Sequence, residues 1–169
     1  MQFSQILSGL QRADIDYVLV GGLAVFLNGV SRVTMDIDLA VAMNDANLSR
    51  LIDFANGLGL KPRIPVAIET LKSAQQIESW FQEKGMIAFS LVGRTVDDLS
   101  IDVLVRPVVP FDELKANARR VVFSGGFVVV ASPEDLIRMK QDTGRNVDAR
   151  DIELLKDLIS ARGTGAKGG

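Results

Sequence analysis

The sequence predicts an α+β fold: a mixed, mainly antiparallel sheet with flanking helices, followed by C-terminal helices. Three observations carry this. Short apolar runs at residues 17–20, 35–41, 86–92, 99–105 and 127–130 have the length and composition of strands. Between them, apolar residues recur at three- and four-residue spacing, the period of an amphipathic helix. Two successive strand pairs are joined by short glycine-containing connections, which predicts antiparallel hairpins.

Phe3, Ile6, Leu7 and Leu10 place a helix at the start, ending near Asp14. Tyr17, Val18, Leu19 and Val20 form a strand, then Gly21 and Gly22 open a short helix through Leu27. Arg32, Val33 and Thr34 lead into the second strand. Asn44 and Asp45 signal a helix start, with Leu48, Leu51, Ile52 and Ala55 on one face and Gly57 and Gly59 closing it. The prolines in residues 61–65 predict a loop, with Lys61 and Arg63 on a solvated rim or, as the alternative, against substrate. Helical turns follow through Ile68, Leu71, Ile77, Trp80 and Phe81 to Lys84, where Trp80 belongs to the core or to a lid.

Residues 86–92 and 99–105 pair as a hairpin across residues 93–98, with Asp97 and Asp98 in the turn. A short helix spans 111–118. Residues 121–123 and 127–130 form a second hairpin around Gly125 and Gly126. Ser132 and Pro133, with Glu134 and Asp135 in the first turn, start the next helix firmly. Residues 141–146 interrupt it, and a last helix begins at Asp148. The expected division is a core at 1–131, a C-terminal helical segment packed on it at 132–162, and a disordered glycine-rich tail at 163–169.

With 169 residues, 47% of them hydrophobic, the chain suits one domain with a sizeable core. The net charge of −2 gives no global basic field for nucleic acid. Cysteine and histidine are both absent, which excludes disulfides, thiolate nucleophiles and imidazole acid–base chemistry. Carboxylates, Lys, Arg and hydroxyls are left to do any chemistry. A cytoplasmic location is expected, with no signal peptide and no stretch of transmembrane length.

The chemical signal centres on Asp36 and Asp38. Residues i and i+2 of a strand share a face, so these two carboxylates stand together while Met35, Ile37 and Leu39 fill the other side. Two carboxylates about 4 Å apart repel by roughly 4 kcal/mol at an effective dielectric near 20. A proton or a hard cation such as Mg²⁺ relieves that. The alternative is a solvated pair at a strand end. Asp102, alone in an otherwise apolar strand, needs a partner or an ion, unless it lies on an exposed edge face. Gly21 and Gly22 between a strand and a helix suit either a phosphate or a tight turn. Arg32 suits a phosphate or a surface ion pair.

As an ordered set, Val20-Gly21-Gly22, Asp36-Ile37-Asp38 and Ile101-Asp102-Val103 resemble the nucleotidyltransferase superfamily with the DNA polymerase beta-like core. The form Arg32-x-Thr34-x-Asp36-x-Asp38 resembles its small prokaryotic branch, which includes the abortive-infection (type IV toxin–antitoxin) toxins. Lys140, Arg145, Arg150 and Asp151 match the C-terminal Lys, Arg and Asp of that branch. The resemblance spans residues 17–155 and implies a nucleotidyltransferase-like core. It implies transfer of a nucleoside monophosphate from a nucleoside triphosphate such as ATP to a hydroxyl of RNA, a protein or a small molecule.

It further implies two Mg²⁺ ions held by Asp36, Asp38 and Asp102, with these three as the catalytic residues. Gly21, Gly22, Arg32, Thr34, Lys140 and Arg145 would bind the nucleotide. A cognate antitoxin is the implied partner. For Lys140 and Arg145 the alternative is an ion pair with Asp148 or Asp151. Two departures stand out: Gly22 replaces a serine that many members use on phosphate, and the chain is short beside members with large appended domains. The competing functions are a non-catalytic nucleotide-binding or interaction module on the same fold, and a metal-dependent phosphohydrolase.

Overall fold

In the computed structural model, which describes residues 3–93, 100–123, 126–141 and 143–165, one mixed sheet organises the chain. Helix α1 (Phe3–Arg12) precedes strand β1 (Tyr17–Val20), helix α2 (Gly21–Leu27) and strand β2 (Asp36–Val41). Helix α3 (Asp45–Gly57), strand β3 (Lys61–Pro62), a 3-10 turn (Ile68–Lys72) and helix α4 (Ala74–Lys84) follow. Strands β4 (Ala88–Val92) and β5 (Ser100–Leu104), helix α5 (Phe111–Asn117), and strands β6 (Arg119–Phe123) and β7 (Gly126–Val130) complete the sheet. Helices α6 (Pro133–Lys140) and α7 (Asn146–Gly165) end the described chain.

The strand order is β3-β4-β5-β2-β1-β7-β6. The pairs β1–β2, β3–β4, β4–β5 and β6–β7 are antiparallel, while β1–β7 and β2–β5 are parallel. Both expected hairpins are present. The connection at 94–98 with Leu99, the turn residues Ser124 and Gly125, Asp142 and the tail at 166–169 lie outside the described residues.

Alternation decides the two faces of the sheet. Ile37, Leu39, Phe89, Leu91, Ile101 and Val103 are fully buried on one side. Each such side chain contributes roughly 1.5–3 kcal/mol relative to exposure. Period two then forces Asp36, Asp38, Ser90, Ser100 and Asp102 to the opposite side. Helix ends follow their local signals. The side chains of Asn44, Ser73 and Ser132 accept hydrogen bonds from the N–H groups of Asn47, Gln76 and Asp135, and Gly85 ends α4 at a φ of +61°.

Two expectations needed correction. Residues 61–65 do not form a loop throughout: Lys61 and Pro62 pair with Val92 and Leu91 as an edge strand. An edge tolerates proline because the missing N–H falls outside the ladder. The last helix also starts earlier and runs later than its apolar spacing suggested, from Asn146 to Gly165. Trp80 is a core residue, stacked on Phe89 with ring centroids 6.0 Å apart.

Two buried asparagines tie the core to the strands that carry the site. Asn28 donates to the carbonyls of Ala24 and Ala131 and accepts from Arg119 Nε. Asn47 accepts from the Asp16 N–H at 2.7 Å and donates to the Asp16 and Ala42 carbonyls, both at 2.9 Å. It clamps the start of β1 to the end of β2. Asn47→Ala leaves those three backbone groups short of a partner, at a cost of about 2–3 kcal/mol. Urea denaturation should show a lower midpoint with an unchanged slope.

Candidate active site

The site lies where β1 ends and β2 begins. Asp36 and Asp38 share a face of β2, as their spacing requires. The parallel pairing of β5 with β2 sets Asp36 opposite Ser100 and Asp38 opposite Asp102. The three carboxylates therefore come from adjacent strands to one patch of sheet. Ser90 of β4 stands opposite Asp102 on the other side.

Burial pushes the Asp38 carboxyl up to about 6, and the negative charges of Asp102 and Asp36 add to the rise. Lys140 and a hydrogen bond from the Gly22 N–H oppose it. The Asp36 Oδ1 accepts from the Ser100 hydroxyl at 2.5 Å. Among the described residues, no group of three or more carboxylates encloses a single metal position.

The donor set nevertheless fits Mg²⁺. That ion typically takes one or two carboxylates and completes its shell with water and substrate phosphate, without an all-protein cage. Asp102 Oδ1 is buried without a hydrogen-bond partner among the described residues, an acceptor left open. Hard oxygens, crowded negative charge and an orphaned acceptor together suit a hard cation.

Gly21 and Gly22 are the first two residues of α2. Gly21 has φ +64°, and a Cβ there would lie 1.9 Å from Asp38 Oδ2. Glycine is thus required both by the backbone and by the contact. A Cβ on Gly22 would lie 2.6 Å from Arg32 Nε and 3.0 Å from Thr34 Oγ1. The Gly22 N–H, expected to face phosphate, is here directed to Asp38.

The cations expected to meet phosphate are held by buried acids of α7. Lys140, itself buried, reaches Asp148 at 2.7 Å and Asp151 at 2.9 Å. Arg32 reaches Asp151 at 2.5 Å, and Arg145 reaches Asp148 at 2.6 Å. The ion pairs offered as the alternative for Lys140 and Arg145 are therefore present. Lys140 also acts on Asp38, so pairing does not remove it from the site. Burial would raise the Asp148 carboxyl, but hydrogen bonds from Lys140, Thr143 and Arg145 outweigh it and hold that carboxyl below the usual range.

A cavity of about 140 Å³ opens beside Asp38, lined by Gly21, Lys140 and Arg145 and by the apolar Leu104, Leu136 and Met139. Arg106 also lines it, paired to Glu78 and set over the Phe81 ring. Ser100 and Arg106 went unnoticed in the sequence. For Ser100 the signal was its even spacing from Asp102 within the strand, whereas Arg106 lies beyond the end of β5 and had no such signal.

No protein-family model matches the chain, and no curated protein matches it in sequence. Solved structures do match in fold. The lincosamide antibiotic adenylyltransferase LnuA, in its lincomycin-bound form, is 16% identical with a TM-score of 0.59, over 91% of this chain and 94% of that one. An antigenic nucleotidyltransferase-like protein from Paracoccidioides brasiliensis is 21% identical with a TM-score of 0.56, over 92% and 75%. The antibiotic-resistance factor ANT(2'')-Ia, bound to adenylyl-2''-tobramycin, is 15% identical with a TM-score of 0.57, over 95% and 89%. The chain has a nucleotidyltransferase-like fold. Among the described residues, no helix is long and apolar enough to cross a membrane.

The crowding at Asp38 has a measurable consequence. Its folded pKa lies above its unfolded value, so the folded state holds the extra proton between about pH 4 and 6. Its contribution is most favourable below that window and is lost as pH rises through about 6. Asp38→Asn should therefore be more stable than the parent at pH 8 without metal, by on the order of 2 kcal/mol. The difference should close toward pH 4 in urea melts across the range.

Proposed function

We propose that this chain is a Mg²⁺-dependent nucleotidyltransferase that moves a nucleoside monophosphate from a nucleoside triphosphate to an acceptor hydroxyl. The observation that carries the reading is the in-register pairing of Asp38 with Asp102, beside Asp36, at the mouth of a glycine turn. The fold shared with the adenylyltransferases supports it. The division at 1–131 and 132–162 is part of the same reading, with the second segment supplying Lys140 and Arg145.

Asp36, Asp38 and Asp102 would hold the Mg²⁺ ions, two of them expected; such ions offset charge on attacking and leaving oxygens. The residues of the chain do the rest. Gly21 and Gly22 add no side chain of their own to the turn that the polyphosphate approaches, and leave room there for Asp38 and Arg32. Lys140, Arg145, Arg32 and Thr34 bind phosphate oxygens, and the buried Asp148 and Asp151 fix three of them in place. The acceptor oxygen attacks the α-phosphorus, the bond to the β-phosphate oxygen breaks, and pyrophosphate leaves. The acceptor proton passes to Asp102, whose Oδ1 is the open base in a chain without histidine.

LnuA is a lincosamide antibiotic adenylyltransferase and ANT(2'')-Ia is bound to adenylyl-2''-tobramycin, which makes a small-molecule hydroxyl one arm of the acceptor search, beside RNA and protein hydroxyls. A cognate antitoxin rests on the motif resemblance alone, and a cytoplasmic setting on the composition and the apolar patterning of the sequence. With α-labelled ATP and the other triphosphates, the parent chain should release pyrophosphate and label one acceptor class, and a chelator should stop it. Asp102→Asn should lower transfer by about 10²–10⁴-fold while binding triphosphate within a few-fold of the parent. Release of free phosphate with no labelled acceptor would make the chain a phosphohydrolase instead. Binding of triphosphate with no turnover on any acceptor would make it a binding module.

A further inference from the structure

A second cavity, of about 420 Å³, lies at the other end of β1 from the carboxylates. Asp38 pairs with Val20, the last residue of that strand, whereas Tyr17, the first, lines this cavity. The length of β1 separates the two by roughly 10 Å. The volume falls in the range of small-molecule sites. Around the start of β1, the wall is built from α1, α3, α5 and the β6–β7 hairpin, through Gln11, Arg50, Lys115, Arg120 and Phe127. None of these residues serves the proposed transfer.

The charges on this wall do not balance. Lys115 is paired with Asp16. Arg50 and Arg120 have no ion-pair partner among the described residues, and of the carboxylates lining the cavity only the exposed Asp14 is left to face them. Arg50 uses little of its hydrogen-bonding capacity. Its Nη2 donates to Asn47 Oδ1 at 3.3 Å, an oxygen that already accepts from the Asp16 N–H at 2.7 Å. Its Nε is buried with no hydrogen-bond partner among the described residues. A cationic donor so poorly matched gains when an anionic oxygen meets it.

Arg120 lies over the Phe127 ring, 4.5 Å from its centroid. A guanidinium stacked on a ring keeps its N–H edge free for a carboxylate or a phosphate. Gln11 holds the backbone beneath that ring, its Oε1 accepting from the Phe127 N–H at 3.2 Å. A Cβ on Gly126 would lie 2.3 Å from the same oxygen, so glycine there leaves room for the contact. We infer that this cavity binds a small organic anion, its carboxylate or phosphate group meeting Arg50 and Arg120 and its apolar body lying against Phe127 and Val129. The two cations come from α3 and β6, separate parts of the wall of one bounded cavity, which suits a small molecule better than a flat partner surface. The inference stands apart from the proposed function, and neither result of its test bears on transfer.

Benzoate and phenyl phosphate, titrated without Mg²⁺ into the ¹⁵N-labelled full chain, test it through amide chemical shifts. At least one of them should give saturable shifts at Asp16, Tyr17, Phe127 and Val129, and the tighter of the two names the anionic group. Benzylamine, the same ring with a positive charge, should give none. Arg50→Gln and Arg120→Gln should each weaken the anion by about tenfold, the scale of a lost charge-assisted contact. Arg120 is exposed, so its variant keeps the fold and carries the test if Arg50→Gln unfolds. Shifts confined to Gly21 and Gly22 put the anion at the transfer site and overturn the inference. So do the absence of a saturable shift from either anion, equal shifts from benzylamine, and an affinity that ignores Arg120.

Discussion

Repulsion among Asp36, Asp38 and Asp102 is the constraint on which the rest of the structure depends. The fold places Asp38 where burial makes ionisation costly, and backbone register sets Asp36 and Asp102 beside it. Everything close by answers that charge. Ser100 takes one oxygen of Asp36, the Gly22 N–H meets Asp38, and Lys140 stands near enough to lower its proton affinity. None of these cancels the crowding, and Asp102 Oδ1 is left open. That uncompensated charge is what the proposed metal site would answer.

The cations around the site are arranged by a second device. Asp148 and Asp151, on α7, are nearly inaccessible to solvent and hold Lys140, Arg32 and Arg145 between them. Removing one member of such a buried network exposes the others to uncompensated charge, so the network fixes geometry more surely than it adds stability. The C-terminal helix is thereby tied to the loop before β2 and to the end of α6. Its contribution to the site is electrostatic placement, made from a distance by acids that need not touch any ligand.

The apolar half of the sheet supplies the rigidity that this requires. Ile37, Leu39, Ile101 and Val103 fix β2 and β5 on one face, and the polar face inherits their order. Asn28 and Asn47 extend the same order to the helix and loop backbones around β1. A site of like charges needs such a scaffold, because the carboxylates would otherwise part.

The sequence by itself determined the strands and helices, since side-chain periods of 2 and 3.6 are local properties of the chain. It also determined that Asp36 and Asp38 share a face, that Gly21 and Gly22 sit between strand and helix, and that Asp102 is anomalous in an apolar run. Short or irregular pieces escaped it: the edge pairing of Lys61 and Pro62 comes from a neighbouring strand, not from their own propensity. Only the tertiary structure decided that β5 lies parallel beside β2 with Asp102 level with Asp38, and that Ser100 reaches Asp36 across 64 residues. It alone decided that Arg32 meets Asp151 across 119 residues and thereby stands over Gly22. Such meetings depend on strand register and on the closure of long loops, which the packing of the whole core selects and no local pattern encodes.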